Sequence, residues 1–161
     1  MSMKDKRLGY IVCLVAVFLL QRLLGVSWRS VYPDLQLVVL IFICVRMDSV
    51  FGILFGMLSG LLNYTASGTG FGALLVAGCA AGFLASNPAR LLSRSSGITV
   101  LVSVIWITCV YNAILYLFAP RDITDLAVLT GMQVLANAAA ALVIWGLMFL
   151  FGGRSAVYVK A

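Results

Sequence analysis

Histidine and glutamate do not occur in this chain, and its only acids are Asp5, Asp34, Asp48, Asp122 and Asp125. Most acid–base, nucleophile–base and metal chemistry therefore lacks its usual carriers, so neither an enzyme nor a cofactor is expected. The nearest acidic pair, Asp122 and Asp125, has no further acids beside it. That is too few for the magnesium and phosphate chemistry of lipid-modifying membrane enzymes. Charge is sparse as well: 10% of residues are charged, against about 25% in an average soluble domain. Each of the four cysteines, Cys13, Cys44, Cys79 and Cys109, lies in an apolar run, and no two share a ligand spacing. They read as small buried hydrophobes rather than metal ligands or disulfide partners.

What fills the chain is apolar. Hydrophobic residues make up 63% and the mean hydropathy is +1.13, more than a soluble fold of 161 residues can hide. The expectation is one polytopic membrane domain over residues 1–161, an all-α bundle of six transmembrane helices. The spans are 8–25, 31–46, 49–65, 70–86, 97–119 and 126–151. Lipid leaves no partner for free backbone groups, and the runs lack the alternation of barrel strands. The basic patch Lys4-Asp5-Lys6-Arg7 opens the chain like a signal peptide, but no small-residue cleavage site follows. The first segment is therefore expected to be retained.

The net charge of +6 does not point to nucleic acid, because the basic residues stand at the ends of apolar segments. The lipid bilayer is the partner they imply. Span 2 is short: Asp34 and Arg46 are about 18 Å apart on a helix, and the hydrocarbon core is about 30 Å thick. Charge bias favours a crossing nonetheless. With six spans and both termini cytoplasmic, Lys4, Lys6, Arg7, Arg46, Arg90, Arg94, Arg154 and Lys160 lie inside, and Arg22, Arg29 and Arg121 outside. That is the distribution the positive-inside rule asks for. The outer loop 120–125 reads as a turn and helix start, with Thr124 or Asp125 as the cap.

Gly52, Gly56 and Gly60 follow one another at four-residue steps in span 3. Span 4 carries Ala73, Ala77, Ala81 and Ala85 beside Gly78 and Gly82. Stripes without side chains let helices approach closely, so spans 3 and 4 are expected to pack backbone to backbone; the same stripe could instead serve a dimer. Among the polar residues within spans are Asn63 and Tyr64, Thr108 and Asn112, and Gln133 and Asn137. Amides in a membrane helix are costly unless paired. These six form a candidate intramembrane cluster, serving either to bond helices together or to line a small polar pocket.

The stretch from Tyr32 to Ala85 reads YPDLQLVVLIFICVRMDSVFGILFGMLSGLLNYTASGTGFGALLVAGCAAGFLA. A Pro-Asp pair opens an apolar helix, a short charged turn follows, then a glycine-stepped helix and a Ser-Gly-x-x-x-Gly turn into a small-residue helix. This pattern resembles the bacterial rod shape-determining protein MreD family, closely over the central third and loosely over the whole chain. Where that family usually places an Asp, four residues before the turn glycine Gly68, this chain has Tyr64, with Asn63 beside it. The resemblance implies a fold similar to the substrate-binding subunits of energy-coupling-factor transporters. It implies a non-enzymatic scaffold in the bacterial inner membrane that supports cell shape and lateral peptidoglycan synthesis. Its expected partner is MreC, within an assembly of RodA, its partner transpeptidase, RodZ and MreB filaments. Pro33, Asp34, Gly68 and Gly72, near the expected outer surface, are the candidate partner contacts. The alternative is a substrate-binding subunit of a vitamin-type transporter. Span 1 disfavours it, since Ala16 stands alone there among large apolar side chains.

Overall fold

The computed structural model describes residues 3–25, 33–67, 70–87, 97–118 and 123–157. These residues form six helices and no strand: α1 (Met3–Gly25), α2 (Leu35–Cys44), α3 (Ser49–Ser67), α4 (Phe71–Ser86), α5 (Gly97–Phe118) and α6 (Ile123–Val157). Among the described residues, two stretches are long and apolar enough to cross a membrane, Ile98–Phe118 in α5 and Leu126–Met148 in α6.

The centre of the fold is its shortest helix. α2 has ten residues, about 15 Å of rise, and occupies less than the apolar segment 31–46. Its start is set by Asp34, whose carboxylate accepts from the Leu37 N–H at 3.0 Å and caps the helix. Its end is set by a tight turn, in which the N–H groups of Val45, Arg46 and Met47 donate to the carbonyls of Ile41, Ile43 and Cys44. Eight of the ten residues are buried: Gln36, Leu37, Val38, Leu40, Ile41, Phe42, Ile43 and Cys44. The sequence of α2 is apolar all round, which suits a helix with neighbours on every side. α1, α3, α4, α5 and α6 all pack against it.

α3 and α4 form an antiparallel hairpin packed on its glycines. A Cβ added to Gly52 would meet the Gly82 carbonyl at 2.5 Å, and one added to Gly60 would meet the Leu74 carbonyl at 2.6 Å. Gly56 and Gly78 face each other more closely still, each against the other's carbonyl. A glycine Hα occupies the direction a Cβ would take, so these contacts place Cα–H groups on opposing carbonyls. Each such contact contributes about 0.5–1 kcal/mol. Every side chain that α4 buries is Ala, Gly or Ser, so small residues serve both its face to α3 and its face to the core. Between the two helices, Gly70 takes a left-handed φ of 71°, a conformation that costs an L side chain about 1–2 kcal/mol.

α1 and α6 cover the core from outside and remain largely exposed. In α1, Leu14 is the buried hydrophobic residue, while Leu8, Val12, Leu19 and Leu23 are open. α6 is 35 residues long, about 52 Å, and exposes Val128, Leu135, Val143 and Leu150. Cys13 and Cys109 are exposed rather than buried, because they fall on the outward faces of α1 and α5. α6 starts at Ile123, so Thr124 and Asp125 stand in its first turn and neither is the cap.

Candidate functional site

A set of interior polar side chains gathers at one level around the N-terminal end of α2, whereas the buried Ser86, Thr99 and Ser103 lie at the end of α4 and in the first turns of α5. Asp34 lies ten residues before Cys44, about 15 Å up α2. Ser59 and Asn63 are ten and fourteen residues into α3, about 15 and 21 Å along it. Thr108 and Tyr111 are eleven and fourteen residues into α5, about 17 and 21 Å along that helix. α1 contributes Gln21 and α6 contributes Asn137 to the same layer.

The bonds within this layer cross between helices. The Asp34 N–H donates to Asn137 Oδ1 at 2.6 Å, tying α2 to α6. The Asn137 amide donates to Thr108 Oγ1 at 3.1 Å, tying α6 to α5. Gln21 serves α2 twice: its Oε1 accepts from the Gln36 N–H at 3.0 Å, and its side chain is hydrogen-bonded to the Asp34 carboxylate. Arg22 is within electrostatic reach of the same carboxylate and rests on the Phe18 ring, 5.4 Å from its centroid. Gln36 Nε2 donates to both the carbonyl and the hydroxyl of Ser59, at 3.1 and 3.0 Å. The Asn63 amide and the Tyr111 hydroxyl share a further bond between α3 and α5.

Gln36, Thr108 and Asn137 are fully buried. Among the described residues, one buried side-chain atom of the layer, Gln36 Oε1, has no hydrogen-bond partner. A carbonyl oxygen left in that state costs about 1–3 kcal/mol. Turning the amide over would not help, because the Ser59 carbonyl can only accept and so requires the nitrogen.

The six residues singled out from the sequence divide into three groups. Thr108 and Asn137 join the layer directly, and Asn63 joins through Tyr111. Asn112 and Gln133 form a separate half-buried pair between α5 and α6, with Asn112 Nδ2 donating to Gln133 Oε1 at 2.8 Å. Tyr64 takes no part in this bonding. Its ring meets Phe71 edge to face, 5.0 Å between centroids, bracing the α3–α4 turn. Asp34, a candidate partner contact, is half-buried: its carboxylate accepts from the Leu37 N–H and its own N–H donates to Asn137 Oδ1. Pro33 beside it is half-buried. Gly72 is exposed with nothing within 4 Å of an added Cβ, and Gly68 lies outside the described residues.

Gln21, Gln36, Ser59 and Tyr111 were not picked out by sequence reasoning. A signal existed for Gln36: it is the one amide in an otherwise apolar helix, and intramembrane polar residues mark sites by default. The separate pair gives a measurable quantity. In a double-mutant cycle of Asn112→Ala and Gln133→Ala, unfolding in detergent should show a coupling of about 0.6 kcal/mol and no more than about 1.7. A coupling of zero would mean that the amides do not hold α5 to α6.

Among the described residues no group of three or more His, Cys, Asp or Glu side chains could hold a metal ion. The arrangement is that of an all-helical protein whose interior polar groups bond mainly to one another. No known family model, curated protein or solved structure matches the chain.

Proposed function

We propose that this chain is a non-enzymatic scaffold subunit of the bacterial cell-elongation machinery. It is a six-span protein of the inner membrane with both ends in the cytoplasm, and it docks an MreC-like single-span partner. The observation that carries the reading is the division of its surface and interior. Polar side chains from five helices are used on one another around α2, while the outward faces of α1, α5 and α6 are apolar. A body of this kind acts through the membrane-embedded surfaces and short loops it presents. The MreD-like pattern from Tyr32 to Ala85 supplies the biological setting. In that setting the wider assembly includes RodA, its transpeptidase, RodZ and MreB filaments, and the fold is similar to that of energy-coupling-factor substrate-binding subunits.

Deletion in the source bacterium should turn rods into round cells, and gentle detergent purification should recover an MreC-like protein with the tagged chain. Normal rods together with no such protein in the eluate would overturn the reading.

A second reading, the binding subunit of a small-solute transporter, is favoured by one feature. The polar end of a short helix, set at mid-depth and ringed by side chains from its neighbours, is how many transporters build a substrate site. Native mass spectrometry discriminates the two. A small organic molecule bound one to one would favour the transporter reading, and a bare protein mass the scaffold.

A further inference from the structure

We infer that the polar layer at the N-terminal end of α2 is a built site for one tightly held water molecule, with Gln36 Oε1 as its principal acceptor. Burial carries this inference, which goes beyond the scaffold reading and does not depend on which partner the protein binds.

Six side chains from four helices share the layer with this oxygen. Gln36 is bonded to Ser59 on α3. Asn63 stands one turn further along the same helix and is bonded to the Tyr111 hydroxyl on α5. That hydroxyl is within electrostatic reach of Asp34, and Asp34 is linked back to the Gln36 backbone through Gln21. Gln36 is 0% exposed, and its Oε1 is the buried side-chain atom of this layer that has no partner among the described residues. Its orientation is fixed, because the amide nitrogen must face the Ser59 carbonyl. The missing group therefore has to be a hydrogen-bond donor.

The chemistry selects water among the donors. A small cation needs several strongly donating ligands around it, and among the described residues no group of three or more His, Cys, Asp or Glu side chains could supply them. What lacks a partner is a neutral oxygen, and a neutral donor satisfies it. Water also supplies a second hydrogen and two acceptor positions, which other polar groups of the layer can use. Buried waters occupy such positions with about three partners each.

The test uses the full chain in nanodiscs. A structure at a resolution that shows ordered solvent should have a density peak within hydrogen-bonding distance of Gln36 Oε1. Magnetisation transfer from water should reach the Gln36 side-chain amide protons, assigned by their disappearance in Gln36→Met. The thermal midpoint should be the same in sodium, ammonium and choline chloride at equal ionic strength. Absence of the peak where other interior waters are visible, together with no transfer to the amide, would overturn the inference. A midpoint raised specifically by sodium or ammonium would assign the position to a cation instead. An organic molecule in the native mass spectrum with density at Gln36 would assign it to a solute. The density peak and the thermal midpoints are measured on the wild type, so they hold even if Gln36→Met does not fold.

Discussion

Gly56→Ala is expected to destabilise the protein by more than about 3 kcal/mol, towards the severe end of single substitutions. The added methyl group would overlap the Gly78 carbonyl. Overpacking in an ordinary core costs about 1–3 kcal/mol because side chains can shift to relieve it. Here the obstacle is backbone, so relief requires α3 and α4 to move apart, and their other close contacts, Gly52 on Gly82 and Gly60 on Leu74, separate with them. Gly78→Ala should cost a similar amount. The double variant should cost less than the sum of the two, since one separation of the helices accommodates both methyl groups. Gly131→Ala is the matched control. It sits in α6 with nothing within 4 Å of its new Cβ, and it should be neutral or stabilising by up to about 1 kcal/mol through helix propensity. Equilibrium unfolding in detergent measures all four. Equal stability of Gly56→Ala and Gly131→Ala would mean that the helices do not approach as described.

Asn137→Ala is expected to cost about 2–4 kcal/mol. The substitution removes the acceptor of the Asp34 N–H and the donor to Thr108, and both groups lie in the interior polar layer. An N–H stranded away from water costs about 1–3 kcal/mol, and the void left by the amide adds to it. Thr108→Val removes one weaker bond and nearly keeps the volume, so it should cost about 1 kcal/mol. The effect of Asn137→Ala should also be local. Hydrogen exchange at the start of α2 should rise before exchange in the α3–α4 hairpin does, because Asn137 tethers the first residues of α2 to α6. Exchange that rises equally in both places would show that α2 does not depend on this tether.

The two sites differ in how far the residues alone revealed them. Close packing of α3 and α4 is written as a four-residue glycine step facing alternating alanine and glycine, and that periodicity needs no knowledge of neighbours. The shortness of α2 is also written locally, in the twelve-residue spacing from Asp34 to Arg46. The polar layer is different. Thr108 and Asn112 lie one turn apart on α5, as do Gln133 and Asn137 on α6, which suggests two polar stripes facing each other. The structure pairs Asn112 with Gln133, but sends Asn137 to both Thr108 and the start of α2. That second destination depends on α2 ending at mid-height. Gln36 was hidden for the same reason: a lone amide in an apolar helix has no sequence period, and its partners Ser59 and Gln21 lie on other helices. Tyr64 was grouped with Asn63 by adjacency, yet neighbouring helix positions point about 100° apart, one towards Tyr111 and the other towards Phe71.

The brevity of α2 has a consequence for biogenesis. Ten residues make about half a bilayer crossing, and the segment opens on a carboxylate and an amide that hydrocarbon does not accept alone. A nascent chain delivered to the lipid one helix at a time would leave this piece without a stable resting place. Gln21 and Ser59, from the helices on either side of it in the chain, receive Gln36, and Asn137 of α6 receives the Asp34 N–H. In the six-span reading proposed above, the first three helices would leave the insertion machinery together, and the arrival of α6 would complete the centre by giving the Asp34 N–H its acceptor.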